Sequence, residues 1–344
     1  MKFFSLIRRL WLLALLPAGL LLAPGLAHAD VTCTSYASGI TFSPISGLAT
    51  GTTSTGTINW TCTNNSFITS ANVMLCLNIG AGTGGTSGTT RLMAGGTPAL
   101  QFQLYQDAAN TQVWGSLLGG PNPTPYQQPP SFTIPGYFFG LTNNTYSGSA
   151  TVYGAIPAGQ SAVPPGSYSS SFAGPNSIVS FNANYGGGSP ASCGASNSGP
   201  SFPFTVTATV IKECQVTAGA ASNINLGSVP STQSNIAGNS SISVSCTRTT
   251  PYYIGLLPSN GSTTGAGTMS GILSGNTDKV PYQLYSNAGL SNQWGNTATS
   301  ASVGNGVAGT GTGLAQSIPV YAKAPSADYT PDSYSDTVTV NVNY

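Results

Sequence analysis

The stretch Phe202-Pro-Phe-Thr-Val-Thr-Ala-Thr-Val-Ile-Lys-Glu-Cys214 alternates with a period of two residues. Phe202, Phe204, Val206, Ala208 and Val210 share one face, and Pro203, Thr205, Thr207 and Thr209 share the other. Aromatic and β-branched residues dominate, as a pleated and half-buried surface requires. A strand this apolar on one face must bury that face. A spacer rich in Gly, Ser and Pro, 186–200, runs ahead of it, and a new cysteine-headed unit begins at Cys214. The stretch is placed to serve two units, leading into the second and completing the first.

Working outward, the chain before this strand and the chain after it repeat one pattern. Cys33 is followed by Gly56-Thr-Ile-Asn-Trp-Thr-Cys62, and Cys214 by Ser241-Ile-Ser-Val-Ser-Cys246, with separations of 29 and 32 residues. Gln103-Leu-Tyr105 with Trp114-Gly115 recurs 180 residues later as Gln283-Leu-Tyr285 with Trp294-Gly295. Pro165-Gly-Ser-Tyr168 recurs as Pro331-Asp-Ser-Tyr334. Self-similarity on this scale means two related domains rather than a solenoid. The repeat pairs Cys33 with Cys62 and Cys214 with Cys246, which leaves Cys76 with Cys193. Short strands cut by Gly, Pro and Asn make each copy a β-sandwich, and no segment carries a helical period. The expected fold is all-β: two Ig-like β-sandwich domains, the first completed by a strand preceding the second, and the second lacking its final strand.

The first 29 residues read as a signal peptide. Lys2, Arg8 and Arg9 precede the apolar run 10–22, and Ala27-His-Ala29 supplies the cleavage motif. The expected organisation is then 30–199 as an N-terminal domain with its spacer, 200–211 as the completing strand, and 212–344 as the C-terminal domain. The mature part keeps five of the eight basic residues and all seven acids, a formal charge near −2. No basic patch exists, which argues against nucleic acid as a partner. Six cysteines in an exported chain read as disulfides.

Catalytic chemistry finds little to work with. The single histidine, His28, belongs to the leader, so the mature chain has no Ser-His-Asp or Cys-His site. No metal site and no cofactor is expected. Asp328, Asp332 and Asp336 are spaced by four, but Pro331 opposes a helix there, and they read as solvated turn residues. Gly80-Ala-Gly-Thr-Gly-Gly85 fits a phosphate-loop pattern in form only, because no helix follows.

Apolar residues set in loops are the better functional candidates. Leu117 and Leu118 lie among Gly and Pro, and copy two has Gly295-Asn-Thr-Ala298 in their place. Phe132-Thr-Ile-Pro-Gly-Tyr-Phe-Phe-Gly-Leu141 also lacks an equally apolar counterpart, and Phe67-Ile68 follows Asn64-Asn-Ser66. Tyr137, Phe138 and Phe139 are readable either as core or as exposed surface. Leu117, Leu118, Tyr137, Phe138, Phe139 and Phe67 are the candidate surface-binding residues.

Only Asp30, Val31 and Thr32 of the mature part precede Cys33, whereas copy two has a long strand ahead of Cys214. Copy two ends on the alternating Val338, Val340, Val342 and Tyr344, with no further strand after it. It should carry an open groove beside those residues, to be filled by strand addition from another chain.

The two Cys-x(~30)-Cys pairs, the QLY…WG and VY…P segments and the terminal Ser333-Tyr-Ser-Asp-Thr-Val-Thr-Val340 together resemble the spore coat protein U (SCPU) domain. That family builds subunits of archaic, Csu-type chaperone–usher pili. The resemblance is close over 214–344 and looser over 31–185. It implies a two-domain tip adhesin rather than a shaft subunit, with the stretch 202–211 standing where a donor strand stands. It further implies a periplasmic pilus chaperone, an outer-membrane usher and a shaft pilin as partners, an abiotic or host surface as target, and a place at the cell surface with a role in biofilm formation. The alternative reading is a secreted carbohydrate-binding or envelope/spore-coat structural protein.

Overall fold

The computed structural model describes residues 31–47, 51–128, 130–194 and 198–344. The leader 1–29 lies outside them. The protein is all-β, with two hydrophobic cores that meet the two copies of the repeat.

The first domain is built on a sheet ordered β1 (Val31–Ala37), β4 (Thr52–Asn64), β11 (Thr145–Ile156), β8 (Leu100–Tyr105), β7 (Thr90–Met93) and β6 (Thr86–Ser87). Opposite it run β10 (Phe132–Ile134), β5 (Ala71–Ile79), β13 (Ser177–Tyr185) and β14 (Ser198–Ser201), with β9 (Tyr126–Gln127) paired to β5. The same layer continues as β12 (Gly166–Phe172), β15 (Phe204–Ile211) and β2 (Ile40–Thr41), with β3 (Ile45–Ser46) also on β15. In the second domain one sheet runs β16 (Cys214–Thr217), β17 (Ser234–Cys246), β22 (Ala315–Ser326), β20 (Lys279–Tyr285), β19 (Ala266–Gly271) and β23 (Tyr334–Ser335). The other holds β21 (Val307–Thr310), β18 (Pro251–Pro258) and β24 (Val338–Asn343).

β15 is where the alternating stretch lands. It pairs antiparallel with β12, from Phe172 opposite Phe204 to Gly166 opposite Val210. On its other side it runs parallel to β2 and β3. Phe202, Phe204, Val206, Ala208 and Val210 are all buried in the first core. Phe204 stacks on Phe172 with centroids 4.6 Å apart. Pro203 has no N–H to give, and the ladder breaks at 202–203 before resuming upstream as β14 against β13. The last residues of the stretch expected to be spacer are therefore already strand.

The three disulfides are Cys33–Cys62, Cys76–Cys193 and Cys214–Cys246. The outer two join register partners of β1 with β4 and of β16 with β17. The repeat extends to single bonds. Trp114 and Trp294 are both fully buried, and each indole N–H donates to a backbone carbonyl at 2.8 Å, of Leu77 and Ile254 respectively.

One polar group breaks the symmetry. Arg91 is completely buried, and its guanidinium donates to the carbonyls of Gly80 (2.7 Å), Ile79 (2.8 Å) and Trp114 (2.7 Å) and to Gln103. Burial without a carboxylate pulls its pKa down to about 9. It ties the end of β5 to β7, β8 and the Trp114 turn. Arg91→Met would leave those carbonyls without a donor, and should lower stability by about 3 kcal/mol in urea unfolding.

Candidate functional site

Two features stand apart from the packed cores: a groove in the second domain and an aromatic cluster on the first. The groove follows from the strand inventory. In the first domain, β12 and the segment Ile40–Thr41 are separated by β15. The equivalent walls of the second domain, 331–338 and 224–226, face each other with no strand between them among the described residues. A cavity of about 590 Å³ lies there. Ile224, Leu226, Leu256, Met269, Leu284 and Val338 supply its apolar lining. Val340 also lines it, but Val342 and Tyr344 do not. Val342 is instead paired to Ile254, and Tyr344 is exposed. The groove is thus centred beside Tyr334–Val340, nearer the start of the last strand than the sequence suggested.

Asp336, whose spacing reads as that of a solvated turn residue, instead lines this cavity. Its carboxylate accepts hydrogen bonds from the Tyr282 hydroxyl (2.6 Å), the Thr337 backbone N–H (2.8 Å) and the Ser259 hydroxyl. Burial, together with the neighbouring carboxylate, pushes the Tyr282 phenol far above its ordinary pKa. Of the other two acids, Asp332 does local work, accepting from the Leu273 backbone and the Asn276 amide. Among the described residues no cluster of three or more His, Cys, Asp or Glu is placed to hold a metal.

The aromatic cluster forms where two loops meet, 64–69 and 136–142. Backbone bonds join them: Ile68 N–H to Tyr137 O (3.1 Å) and Tyr137 N–H to Ser66 O (2.8 Å). Buried Asn64 serves as the hub, donating its amide to the carbonyls of Thr69 and Ile134 and accepting from Ser66. On this scaffold the rings of Phe67, Phe138 and Phe139 pack in T-shaped and tilted pairs, with centroids 5.4–6.1 Å apart. The cluster nevertheless faces solvent: Phe67 is 55% exposed, Phe139 71%, Ile68 62% and Leu141 77%. Tyr137 and Phe138 are also exposed. Neither loop carries a charge. Ile68 (φ 56°) and Phe139 (φ 46°) both adopt the left-handed conformation. For a β-branched or bulky residue that is an outlier costing about 1–3 kcal/mol, and such strain gathers at functional positions.

The contiguous run 132–141 therefore divides. Phe132 and Ile134 belong to β10 and are buried, whereas everything from Tyr137 to Leu141 is exposed. Leu117 is exposed and Leu118 half-buried. They do not join the cluster. The Leu117 N–H donates to Asn78 at the end of β5, while the cluster adjoins the beginning of β5 at Ala71. Roughly 25 Å of strand separates the two. Of the six candidate residues, four come together and the two leucines stand apart.

The cluster also lies far from the second domain. Arg248 of that domain donates to Ala162 O, just beyond the end of β11 at Ile156. The cluster sits at the other end of the same ladder, where Thr145 faces Thr63. β4 alone spans the 13 residues between these ends, roughly 40 Å. Ile68 and Leu141 enlarge the predicted set. Asn64 was missed as a hub, because Asn-Asn-Ser reads from sequence simply as a turn.

Comparison with known proteins adds the following. No curated protein matches the chain. Among solved structures, it is similar to the CsuC–CsuE chaperone–tip adhesion subunit pre-assembly complex of archaic chaperone–usher Csu pili from Acinetobacter baumannii. Identity there is 16%, with a TM-score of 0.47, covering 91% of this chain and 100% of that one. It is also similar to the CupB6 tip adhesin of Pseudomonas aeruginosa, at 11% identity and a TM-score of 0.34, covering 92% and 95%. A third is CfaE, the adhesive subunit of the CFA/I fimbria of enterotoxigenic Escherichia coli, at 9% identity and a TM-score of 0.32, covering 89% and 92%. The Spore Coat Protein U domain profile matches residues 21–173 and again 201–341. Both halves of the repeat are covered, and the chain belongs to the Spore Coat Protein U domain family.

Proposed function

We propose that the protein is the tip adhesin of an archaic chaperone–usher pilus, holding cells to apolar surfaces and so supporting biofilm growth. The carrying observation is the asymmetry of the two grooves. The first is filled by β15 of the same chain, and the second is unfilled among the described residues. A domain with an unfilled groove is suited to receive a strand from elsewhere, first from a periplasmic chaperone and then from a shaft pilin delivered at the usher. The first domain needs no such strand and is left distal, with its aromatic cluster at the end away from the second domain. Disulfides and an N-terminal leader fit passage through the periplasm to the cell surface. The chemistry proposed is binding rather than catalysis.

Each exposed ring gains roughly 25 cal/mol per Å² removed from water, which is weak for one tip and substantial for many pili acting together. Phe67→Ser with Phe139→Ser should lower attachment of piliated cells to polystyrene at least tenfold, with pilus number unchanged. Attachment should persist when salt is raised, because the cluster has no ion pairs to screen. Undiminished attachment by the double variant, or competition by a soluble sugar, would overturn the proposal. Leu117→Ser should matter less, because it lies away from the cluster.

A further inference from the structure

We infer that Asp336 selects the strand that fills the second groove, favouring one with a hydrogen-bond donor where the first domain's own strand has Val206. The inference rests on reading that groove as a strand acceptor. The repeat supplies the alignment, because Pro165–Phe172 and Pro331–Val338 correspond without a gap. Tyr168 matches Tyr334, Phe172 matches Val338, and Ser170 matches Asp336. In the filled groove Ser170 lies directly opposite Val206, and both are completely buried. The Ser170 hydroxyl is small and accepts from the Gly84 N–H at 3.2 Å, so a valine fits beside it.

The second groove changes two wall residues together. Asp336 replaces Ser170, and Tyr282 stands where the first domain has Phe102. The phenol donates to the carboxylate and fixes it against the groove wall. Protein donors occupy three positions around the carboxylate, which has about four lone-pair sites. Directly opposed residues in an antiparallel pair have Cβ atoms about 4.5–5.5 Å apart, so an occupant in the same register places one side chain against Asp336. A valine there would strip water from the carboxylate and give nothing back. An Asn or Lys would donate a charge-assisted bond. The preferred occupant is an extended strand with apolar residues at its other inward positions and a donor at this one. It is not β15 of a second copy of this chain.

The test uses the mature chain and fluorescein-labelled peptides of the sequence 201–212, either unchanged or carrying Val206→Asn or Val206→Lys. Fluorescence anisotropy should show the Asn and Lys peptides binding about tenfold more tightly than the parent. On an Asp336→Ser chain that order should level or reverse. An Asp336→Asn chain, which keeps the size of the side chain, should lose the preference for Lys. Parent peptide binding as tightly as the others to the unaltered chain would overturn the selection by Asp336 alone. So would a preference that survives in Asp336→Ser. No binding by any peptide would overturn the reading of the groove as an acceptor, and the inference with it.

Discussion

A chain carrying both Phe204→Asp and Val206→Asp will yield no soluble first domain. Both side chains are buried in the middle of a layer, with β12 on one side and β2 and β3 on the other. Removing their apolar burial costs roughly 1.5–3 kcal/mol each. Each carboxylate put in their place adds a desolvation penalty of several kcal/mol. The sum matches or exceeds the total stability of an ordinary domain, about 5–15 kcal/mol. Soluble periplasmic yield and far-ultraviolet circular dichroism would measure it. A soluble double variant that unfolds as cooperatively as the parent would show that β15 does not complete the domain. Val206→Ala serves as the control: it should lose about 2 kcal/mol and still fold.

The opposite manipulation should have an effect of similar size on the second domain. Appending a short Gly/Ser linker and a copy of 202–211 carrying Val206→Asn after Tyr344 gives the groove a strand in the same chain. Several apolar side chains would enter the 590 Å³ cavity. Each contributes roughly 1.5–3 kcal/mol on burial, offset by the entropy of ordering the strand. A net gain of about 3 kcal/mol would raise the melting temperature of a domain this size by on the order of 10 °C. The extended chain should also run as a monomer on gel filtration and resist protease in the 212–344 half. Unchanged melting and unchanged cleavage would mean that the groove is not an acceptor for strands.

The parts of this structure that the sequence made legible are those governed by strict period or strict repetition. Alternation in 202–211 showed which five side chains would be inside. The repeat paired the cysteines and put Trp114 and Trp294 in equivalent places. Loops obey no such period. In the run 132–141 the same apolar composition serves a buried strand and an exposed tip, and only the register of β10 on β5 divides them. Leu117 and Phe139 looked alike in sequence, yet they sit at opposite ends of β5, a relation set by chain path alone. The spacing of Asp336 from Asp328 and Asp332 suggests a solvated turn, whereas its alternation with Tyr334 and Val338 marks a strand face. That alternation was visible, and it places the carboxylate on the inward face. Arg91 left a fainter trace as the only cation of the mature chain ahead of Lys212.

The disulfide Cys76–Cys193 acquires a mechanical meaning once the two ends of the molecule are pulled apart. Tension on the second domain enters the first through Lys212 and Glu213 and runs lengthwise along β15, loading its ladder with β12 in shear. If that ladder slips, the strand leaves its groove and the chain lengthens. It can lengthen only as far as Cys193. The twenty residues 194–213 extend to roughly 70 Å, and then the pull passes through the sulfur bridge to Cys76 on β5. From Cys76 only eight residues, 68–75, separate the load from Phe67 in the aromatic cluster. The bridge is a covalent safety line between the second domain and the part of the first that carries the aromatic cluster. In the proposed role, a jerk that empties the first groove would be absorbed as slack, and the aromatic cluster would stay joined to the second domain while the strand found its way back.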